Sequence, residues 1–208
     1  KGMCAMTLML ASASPRRKQL LAQLGLSCEV KPQDIDESRR DGESPCVYVR
    51  RLALEKAQAA TAERFDAPRL ILAADTVVAL EDQVFDKPSD EESAVAALMQ
   101  LAGTTHSVRT AVCLLRQSAV GDSEEIGLRE SHTRVRFSNF SKASARQYWR
   151  SGEPLGKAGG YAIQGLGASF IELIDGSYSG VMGLPLFESA ELLRLAGIDV
   201  LTLAECST

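Results

Sequence analysis

The sequence has little of what several common kinds of functional site require. Its 208 residues include two histidines, His106 and His132, which are too few for a metal site built on imidazoles or an obvious Ser-His-Asp triad. The five cysteines are scattered and form no C-x-x-C pair, so neither a zinc site nor a disulfide framework is indicated. This cysteine usage fits a protein of the reducing cytoplasm.

Long apolar runs are also lacking. No segment reaches the roughly 20 apolar residues that a membrane span needs, so no membrane partner is expected. The short apolar start runs directly into SASPRR, which does not match a signal peptide. Lys1 and Gly2 precede Met3 and are interpreted as a cloning remnant, and residues 3–204 are expected to form a single domain.

Basic residues do not outnumber acidic residues in this sequence. The net charge is −4, and aromatic residues make up 5% of the chain, which argues against a general nucleic-acid-binding protein. Apolar residues at 45% and charged residues at 24% are typical of an ordinary globular protein. Any site for phosphate must therefore be a local concentration of cations.

The stretch LMLASASPRRKQLLAQLG predicts a buried strand over Leu8–Ala11 that leads directly into a helix. Ser14 is a favourable N-cap, and Pro15 suits the first helical position because its missing N–H would be unpaired there. Leu20, Leu21 and Leu24 fall on one face of the helix, which ends at Gly25.

A helix N-terminus of this kind favours an anion, because its free N–H groups and positive dipole end point outward. Ser12 and Ser14 add hydroxyl groups, and Arg16 and Arg17 add two guanidinium forks suited to phosphate oxygens. Ser-Pro is also common at helix starts, and arginines in a first turn often face only water, so the segment alone leaves both interpretations open. Cations at the positive helix end are, however, unfavourable without an anion.

The remaining pattern alternates strands and helices early and includes a hairpin later, which predicts an α/β fold with a mixed sheet. A polar connection, residues 117–126, is predicted to be a mobile hairpin tip. A capping box is expected from Ser89 and Glu92 at the start of the third helix. Strands are predicted over Ser27–Lys31, Leu70–Leu80, Ser107–Arg116 and Gly127–Phe137, with one or two more over Gly156–Gly176, and helices from Ser44 to about Arg64, from Ser89 to Gly103, from Ser141 to about Ser151 and at the C-terminal end.

Asp75 is the sharpest single signal for a site, since it interrupts an otherwise apolar strand. A buried carboxylate costs several kcal/mol unless it is paired, hydrogen-bonded or bound to metal. It is interpreted as a metal ligand or general base at a strand end, the alternative being a residue that ends the strand and caps a loop. Glu37, in an acidic loop, could hold Mg²⁺ together with Asp75. Lys56 and Lys87 carry no signal by themselves.

The glycine-rich stretch Gly156–Gly167 permits close approach of the backbone to a ligand, or forms only loops. It has no G-x-G-x-x-G after a strand, and a dinucleotide site is rejected.

Taken together, these segments resemble the Maf family of nucleotide pyrophosphatases. The matches are short, but they occur in the family's order and extend over nearly the whole chain. They are ASASPRR (Ala11–Arg17), DIDE (Asp34–Glu37), RLALEKA (Arg51–Ala57), ADTVV (Ala74–Val78), DKP (Asp86–Pro88), GKAGGYAIQG (Gly156–Gly165) and GLPL (Gly183–Leu186).

The resemblance implies a fold related to the inosine triphosphate pyrophosphatases, with an elongated mixed sheet flanked by helices and two lobes around a cleft. It also implies hydrolysis of a nucleoside triphosphate to the monophosphate and pyrophosphate. The cofactor would be a divalent metal cation, Mg²⁺ or Mn²⁺, and the protein would be a homodimer. Asp75 matches the family's proposed proton acceptor. The residues that match its pocket positions are Ser12, Arg17, Glu37, Lys56 and Lys87. Arg16 is expected to bind substrate with them, and Glu37 and Asp75 are expected to hold the metal.

Within the family, one subgroup resembles dTTP/UTP pyrophosphatases and another acts on 7-methyl-GTP. Arg16, Thr76 and Gln164 match the first subgroup's specificity positions, which predicts dTTP, UTP or modified pyrimidine nucleotides as substrates of a house-cleaning enzyme. A glutamine amide offers a donor and an acceptor to a pyrimidine's imide edge. The alternatives are a 7-methyl-GTP pyrophosphatase and a non-catalytic nucleotide-binding regulator of cell division.

Overall fold

The computed structural model describes residues 7–62 and 65–205, which form one mixed seven-stranded sheet with helices packed on it. Residues 1–2, Cys4, Cys206 and the expected helix end at Arg64 lie outside the described residues. The strands are β1 (Thr7–Leu10), β2 (Glu29–Val30), β3 (Arg69–Leu80), β4 (Gln83–Phe85), β5 (Thr105–Gln117), β6 (Ser123–Phe137) and β7 (Ile171–Asp175).

The helices confirm the predicted alternation with strands. None of the helices in the described part of the chain is long and apolar enough to cross a membrane. Two 3₁₀ turns, Ala158–Gly160 and Leu166–Phe170, lie between the fourth helix and β7. The helices are α1 (Pro15–Gln23), α2 (Pro45–Ala60), α3 (Glu91–Leu101), α4 (Lys142–Arg150), α5 (Tyr178–Met182), α6 (Leu186–Leu195) and α7 (Val200–Glu205).

The sheet order is β2-β1-β3-β5-β6-β7, with β4 paired to β3. The strands β1, β2 and β3 run parallel, whereas β3, β5, β6 and β7 form an antiparallel series. This arrangement confirms the predicted α/β class with a mixed sheet flanked by helices. The parallel part contains the strand–helix connections predicted for the first residues of the chain.

Three hydrophobic clusters stabilise the fold. Helix α2 packs Leu52 and Ala53 on one face of the β1-β3-β5 region, and α1 and α6 cover the opposite face with residues such as Leu21 and Leu193. A third cluster, centred on Phe137, lies between the far half of the sheet and helices α3 and α4. The core is thus divided along the length of the sheet.

A notch interrupts the sheet beside the middle of β3. Strand β1 pairs with β3 only as far as Leu72, opposite Leu10, and β4 begins to pair with β3 at Val78. Between these two positions β3 is paired to β5 alone within the described structure. The chain leaves β1 at this point and turns into α1, so the helix N-terminus opens into the notch. Sites of α/β proteins are commonly found at such carboxyl ends of parallel strands.

Two predicted helix starts differ in their capping. Ser14 precedes α1 as expected, but its side chain makes no capping hydrogen bond. The predicted capping box of Ser89 and Glu92 is wrong, because Asp90 is the N-cap of α3. The Asp90 carboxylate accepts a hydrogen bond from the Ser93 N–H at 2.7 Å, and the Asp90 N–H donates to Ser93 Oγ at 3.2 Å. An acidic cap is the stronger acceptor at a positive helix end.

The hairpin connection is shorter than predicted. Gln117 is the last residue of β5 and Ser123 is the first residue of β6, so the turn consists of residues 118–122 rather than 117–126. Ser123, Glu124 and Glu125, which suggested a loop, are exposed residues of β6. Arg116 of β5 pairs with Glu124 across the two strands at 3.4 Å. A polar segment can continue a strand where one face of the sheet meets water.

Candidate active site

A cleft of about 530 Å³ occupies the notch beside β3. The β1–α1 turn and the first residues of α1, together residues 11–17, form one wall, and residues 155–158, which lead into the first 3₁₀ turn, form another. Asp75 and Thr76 of β3 also line it, together with Glu37 from the loop before α2. The structure thereby brings together segments that are far apart in the sequence.

Side chains of β3 alternate between the two faces of the sheet, so Asp75 and Thr76 contact different helices. Asp75 points to the face covered by α2, where its carboxylate meets Lys56, and Thr76 points to the opposite face, where its hydroxyl meets Arg17 of α1. Successive strand side chains point to opposite faces of a sheet, so two adjacent residues can serve two different groups of partners. The cleft exposes only a small part of Asp75, whose exposure is 7%.

Lys56 joins the two acidic residues of the cleft. Its ammonium Nζ lies 2.6 Å from Asp75 Oδ1 and 2.6 Å from Glu37 Oε1. Lys56 lies on the face of α2 that packs against the sheet, which places a charged side chain in an otherwise apolar layer. A buried ammonium is tolerated when it is paired and hydrogen-bonded, and here two carboxylates satisfy it.

Glu37 is held from two directions. The Tyr48 hydroxyl donates a hydrogen bond to the Glu37 main-chain carbonyl at 2.7 Å, and Lys87 Nζ lies 3.7 Å from Glu37 Oε2. Burial acts to raise the pKa of Glu37, but the hydrogen bonds and charges of Lys56 and Lys87 hold that pKa below its ordinary value. Glu37 is accordingly ionised at neutral pH.

Arg17 is fixed by three acceptors, so its guanidinium has little freedom. It donates to the Gly183 carbonyl at 2.7 Å, to Ser12 Oγ at 3.0 Å and to Thr76 Oγ1 at 3.3 Å. Burial lowers the pKa of Arg17, and the nearby Asp75 carboxylate opposes that effect. An arginine stays charged in proteins, so Arg17 is a pre-positioned cation. Thr110 of β5, which sequence reasoning missed, lies 2.9 Å from Thr76 Oγ1 and extends this network.

Lys157 is a second cleft residue that sequence reasoning missed. It lies in the glycine-rich segment and donates to the carbonyls of Glu153 and Leu155. Burial lowers the pKa of Lys157, and the positive charge of Arg16 adds to that effect. Arg16 donates to the Met182 carbonyl at 3.3 Å. The cleft therefore brings two cations toward each other from opposite walls, a repulsion that a bound anion would relieve.

Glu153 ties the two ends of the glycine-rich loop together. Its carboxylate accepts hydrogen bonds from the Tyr148 hydroxyl at 2.6 Å and from the N–H groups of Leu166 and Gly167 at 2.8 and 2.9 Å. A Cβ atom at Gly165 would approach Glu153 Oε2 to 2.1 Å, so a larger residue there would displace the Glu153 carboxylate from these contacts. These contacts hold the loop that carries Lys157.

All but one of the predicted site residues line the cleft. Ser12, Arg16, Arg17, Glu37, Lys56, Asp75, Thr76 and Lys87 all line the cleft. Gln164 is exposed on the glycine-rich loop and is not among the residues that line the cleft, so its part in specificity stays a prediction.

The side chains present fit a divalent cation that is bound together with a phosphate ligand. Glu37 and Asp75 supply carboxylate oxygens, the donors that Mg²⁺ prefers, in the same cleft. Within residues 7–62 and 65–205 there is no group of three His, Cys, Asp or Glu side chains that could hold a metal. Mg²⁺ is often bound by one or two carboxylates with waters and substrate phosphates completing the shell.

Curated relatives resemble this chain over nearly its full length. The dTTP/UTP pyrophosphatase of Saccharophagus degradans is 49% identical over 202 residues, which cover 96% of this chain and 93% of the relative. The dTTP/UTP pyrophosphatase of Bordetella avium is 50% identical, over 92% of this chain and 96% of the relative.

A solved structure of a nucleoside-triphosphatase, a dITP/XTP pyrophosphatase from Mycobacterium abscessus, is more distant. It shares 16% identity at a TM-score of 0.37, over 65% of this chain and 76% of its own. A family model described as Maf-like protein matches residues 7–196. With this match extending across the sheet and the cleft, and with relatives near half identity, the chain belongs to the Maf family.

Proposed function

We propose that this chain is a nucleoside triphosphate pyrophosphatase that hydrolyses dTTP and UTP to the monophosphate and pyrophosphate. The observation that carries the proposal is the convergence of a nearly buried carboxylate, Asp75, with a group of cations in one cleft at the N-terminus of α1. The dTTP/UTP pyrophosphatases that resemble the chain support this substrate class.

The triphosphate binds to cations that form no ion pair within 4.0 Å with a carboxylate in the described structure. Arg16 and Arg17 in the first turn of α1 and Lys157 on the facing loop hydrogen-bond to neutral groups. Their charges are therefore available to phosphate oxygens, and the free N–H groups of the helix start add to them. Ser12 contributes by holding Arg17 in place.

Asp75 accepts the proton of the attacking water. One carboxylate oxygen is engaged by Lys56, which leaves the other to orient a water molecule toward the α-phosphorus. As the water oxygen bonds to this phosphorus, its proton passes to Asp75 and the bond to the β-phosphate oxygen breaks. Pyrophosphate leaves with the electron pair of that bond, and the neighbouring cations stabilise its charge.

Glu37 and Asp75 are the residues that would hold a divalent cation, Mg²⁺ or Mn²⁺. When bound, such a cation withdraws charge from phosphate oxygens and favours ionisation of water. Lys87 lies beside Glu37 at 3.7 Å and adds positive charge at the same end of the cleft.

Recognition of the base involves Arg16, Thr76 and Gln164. The Thr76 hydroxyl is hydrogen-bonded to Arg17 and lies close to Thr110, so it acts on substrate choice through the position of Arg17. Gln164 belongs to the loop that also carries Lys157, and its amide is suited to the imide edge of a pyrimidine. We further propose that residues 3–204 act as one catalytic domain of a cytoplasmic homodimer.

The experiment that tests the function is pyrophosphate release from dTTP, UTP, CTP, dGTP, ITP and 7-methyl-GTP, with and without Mg²⁺ or Mn²⁺. Metal-dependent release concentrated on dTTP and UTP is the expected result. Preference for 7-methyl-GTP would retain the enzyme and reject the specificity. No turnover of any nucleotide by folded protein would favour the non-catalytic regulator instead.

A further inference from the structure

The Lys56 ammonium lies between the two carboxylates that the proposed function assigns to a divalent cation. Its Nζ atom is 2.6 Å from Glu37 Oε1 and 2.6 Å from Asp75 Oδ1. Both distances are those of short charge-assisted hydrogen bonds, so each carboxylate already turns an oxygen toward the same cation. One positive group thus bridges the oxygen atoms that a metal would need.

The place of Lys56 is set by α2. Its side chain comes from the helix face that also packs Ala53 and Ala57 against the sheet, and its exposure is 8%. Removing an ammonium from water is costly unless the charge is paired, so the two carboxylates hold Lys56 where it is. Lys56 does not need a nucleotide to stay in this position.

The two carboxylates at this end of the cleft are already compensated by cations without a metal. Glu37 and Asp75 carry negative charges, and Lys56 and Lys87, which lie within 4 Å of them, carry positive charges. A divalent cation placed between the carboxylates would meet the Lys56 ammonium at close range. Repulsion in a partly buried cleft is several times stronger than in water, so the two cations cannot share this place at low cost.

We propose that the Lys56 ammonium occupies the place of the divalent cation, so that Lys56 and the metal exclude each other between Glu37 and Asp75. The inference rests on the proposed function only in assigning these two carboxylates to the metal. A triphosphate brings negative charge that compensates both cations, and Lys56 can then pair with phosphate oxygens. Without nucleotide, the protein therefore binds metal weakly.

The test is a titration of the whole chain with Mn²⁺ in the absence of nucleotide, with free Mn²⁺ followed by electron paramagnetic resonance. Lys56→Met is expected to bind Mn²⁺ with an affinity about tenfold higher than that of the unsubstituted protein, or more, because the competing charge is gone. Lys87→Met is the matched control. It removes one positive charge beside Glu37 but none from between the carboxylates, so its gain is expected to stay below about threefold.

Several results would overturn the proposal. Equal gains in the Lys56→Met and Lys87→Met variants would indicate a general relief of repulsion, and no gain in Lys56→Met would exclude competition. A gain that persists in Lys56→Met combined with Asp75→Asn would place the metal elsewhere. Lys56→Gln, which keeps a hydrogen-bond donor beside Asp75, is titrated in parallel, with thermal unfolding as the check on folding. No step depends on nucleotide hydrolysis, so this outcome and that of the proposed function are separable.

Discussion

The Tyr48 hydroxyl donates a hydrogen bond to the main-chain carbonyl of Glu37 at 2.7 Å. This bond connects helix α2 to the acidic loop that enters the cleft, and the Tyr48 side chain is 9% exposed. The loop has no regular secondary structure of its own, so its position depends on such contacts. The same helix carries Lys56, and α2 therefore positions both the acidic residue and its counter-ion.

Tyr48→Phe should reduce catalysis by loosening Glu37 without altering the chemistry of the cleft. A lost hydrogen bond to a neutral carbonyl is worth about 1 kcal/mol, and kcat/KM is expected to fall about fivefold. Steady-state kinetics with dTTP measures the effect. Tyr178→Phe, which removes a hydroxyl from an exposed tyrosine, should leave kcat/KM unchanged. A full rate in Tyr48→Phe would contradict the positioning role.

Asp75→Asn should lower kcat by about 10² or more, because the amide cannot accept a proton from water. The amide oxygen can still accept a hydrogen bond from Lys56, so the fold should be retained, which thermal unfolding checks. Asp122→Asn makes the same substitution at an exposed residue of the hairpin turn and should keep full turnover. Near-normal kcat in Asp75→Asn would refute Asp75 as the proton acceptor.

Local rules were enough for the elements nearest the cleft. The apolar run before Ser-Pro predicts β1 followed by α1, and Asp75 is recognisable because a carboxylate within a buried strand requires a partner. Local rules do not determine where a helix begins when two capping residues are adjacent. Ser89 and Asp90 both suit an N-cap, and the choice depends on where the chain leaves β4.

The partners across the cleft could not be read from local patterns. Thr110 lies opposite Thr76 because β3 and β5 pair in one particular register, which the distant hydrophobic core determines. Lys157 is an unremarkable residue in a glycine-rich stretch until the Glu153 contacts fold that stretch over the cleft. The position of Lys56 between two carboxylates likewise results from packing of α2 on the sheet rather than from its own sequence context.

Lys157→Met should weaken nucleotide binding more than turnover. The substitution removes a cation that faces Arg16 across the cleft, and a hydrogen bond to a charged group is worth about 1.5–3 kcal/mol, so KM for dTTP should rise about tenfold or more. The dependence of KM on salt concentration should also decrease, since one phosphate contact is lost. Lys142→Met, at an exposed position of α4, is the control. A change confined to kcat would argue against phosphate binding by Lys157.

Acid should destabilise the protein through His106, which is 2% exposed and whose Nε2 lies 2.8 Å from the Tyr161 hydroxyl. Burial lowers the pKa of His106 from 6.5 to about 4, so the unfolded chain takes up a proton at a higher pH than the folded protein does. The stabilisation that depends on neutral His106 is complete above about pH 6.5 and is lost as the pH falls toward about 4. The free energy of unfolding is expected to fall by about 2 kcal/mol between about pH 7 and about pH 5. Urea unfolding of His106→Gln should show a smaller loss over this interval, whereas His132→Gln, at an exposed histidine, should retain most of it. Equal pH dependence in His106→Gln and the unsubstituted protein would mean that other groups destabilise the fold in acid.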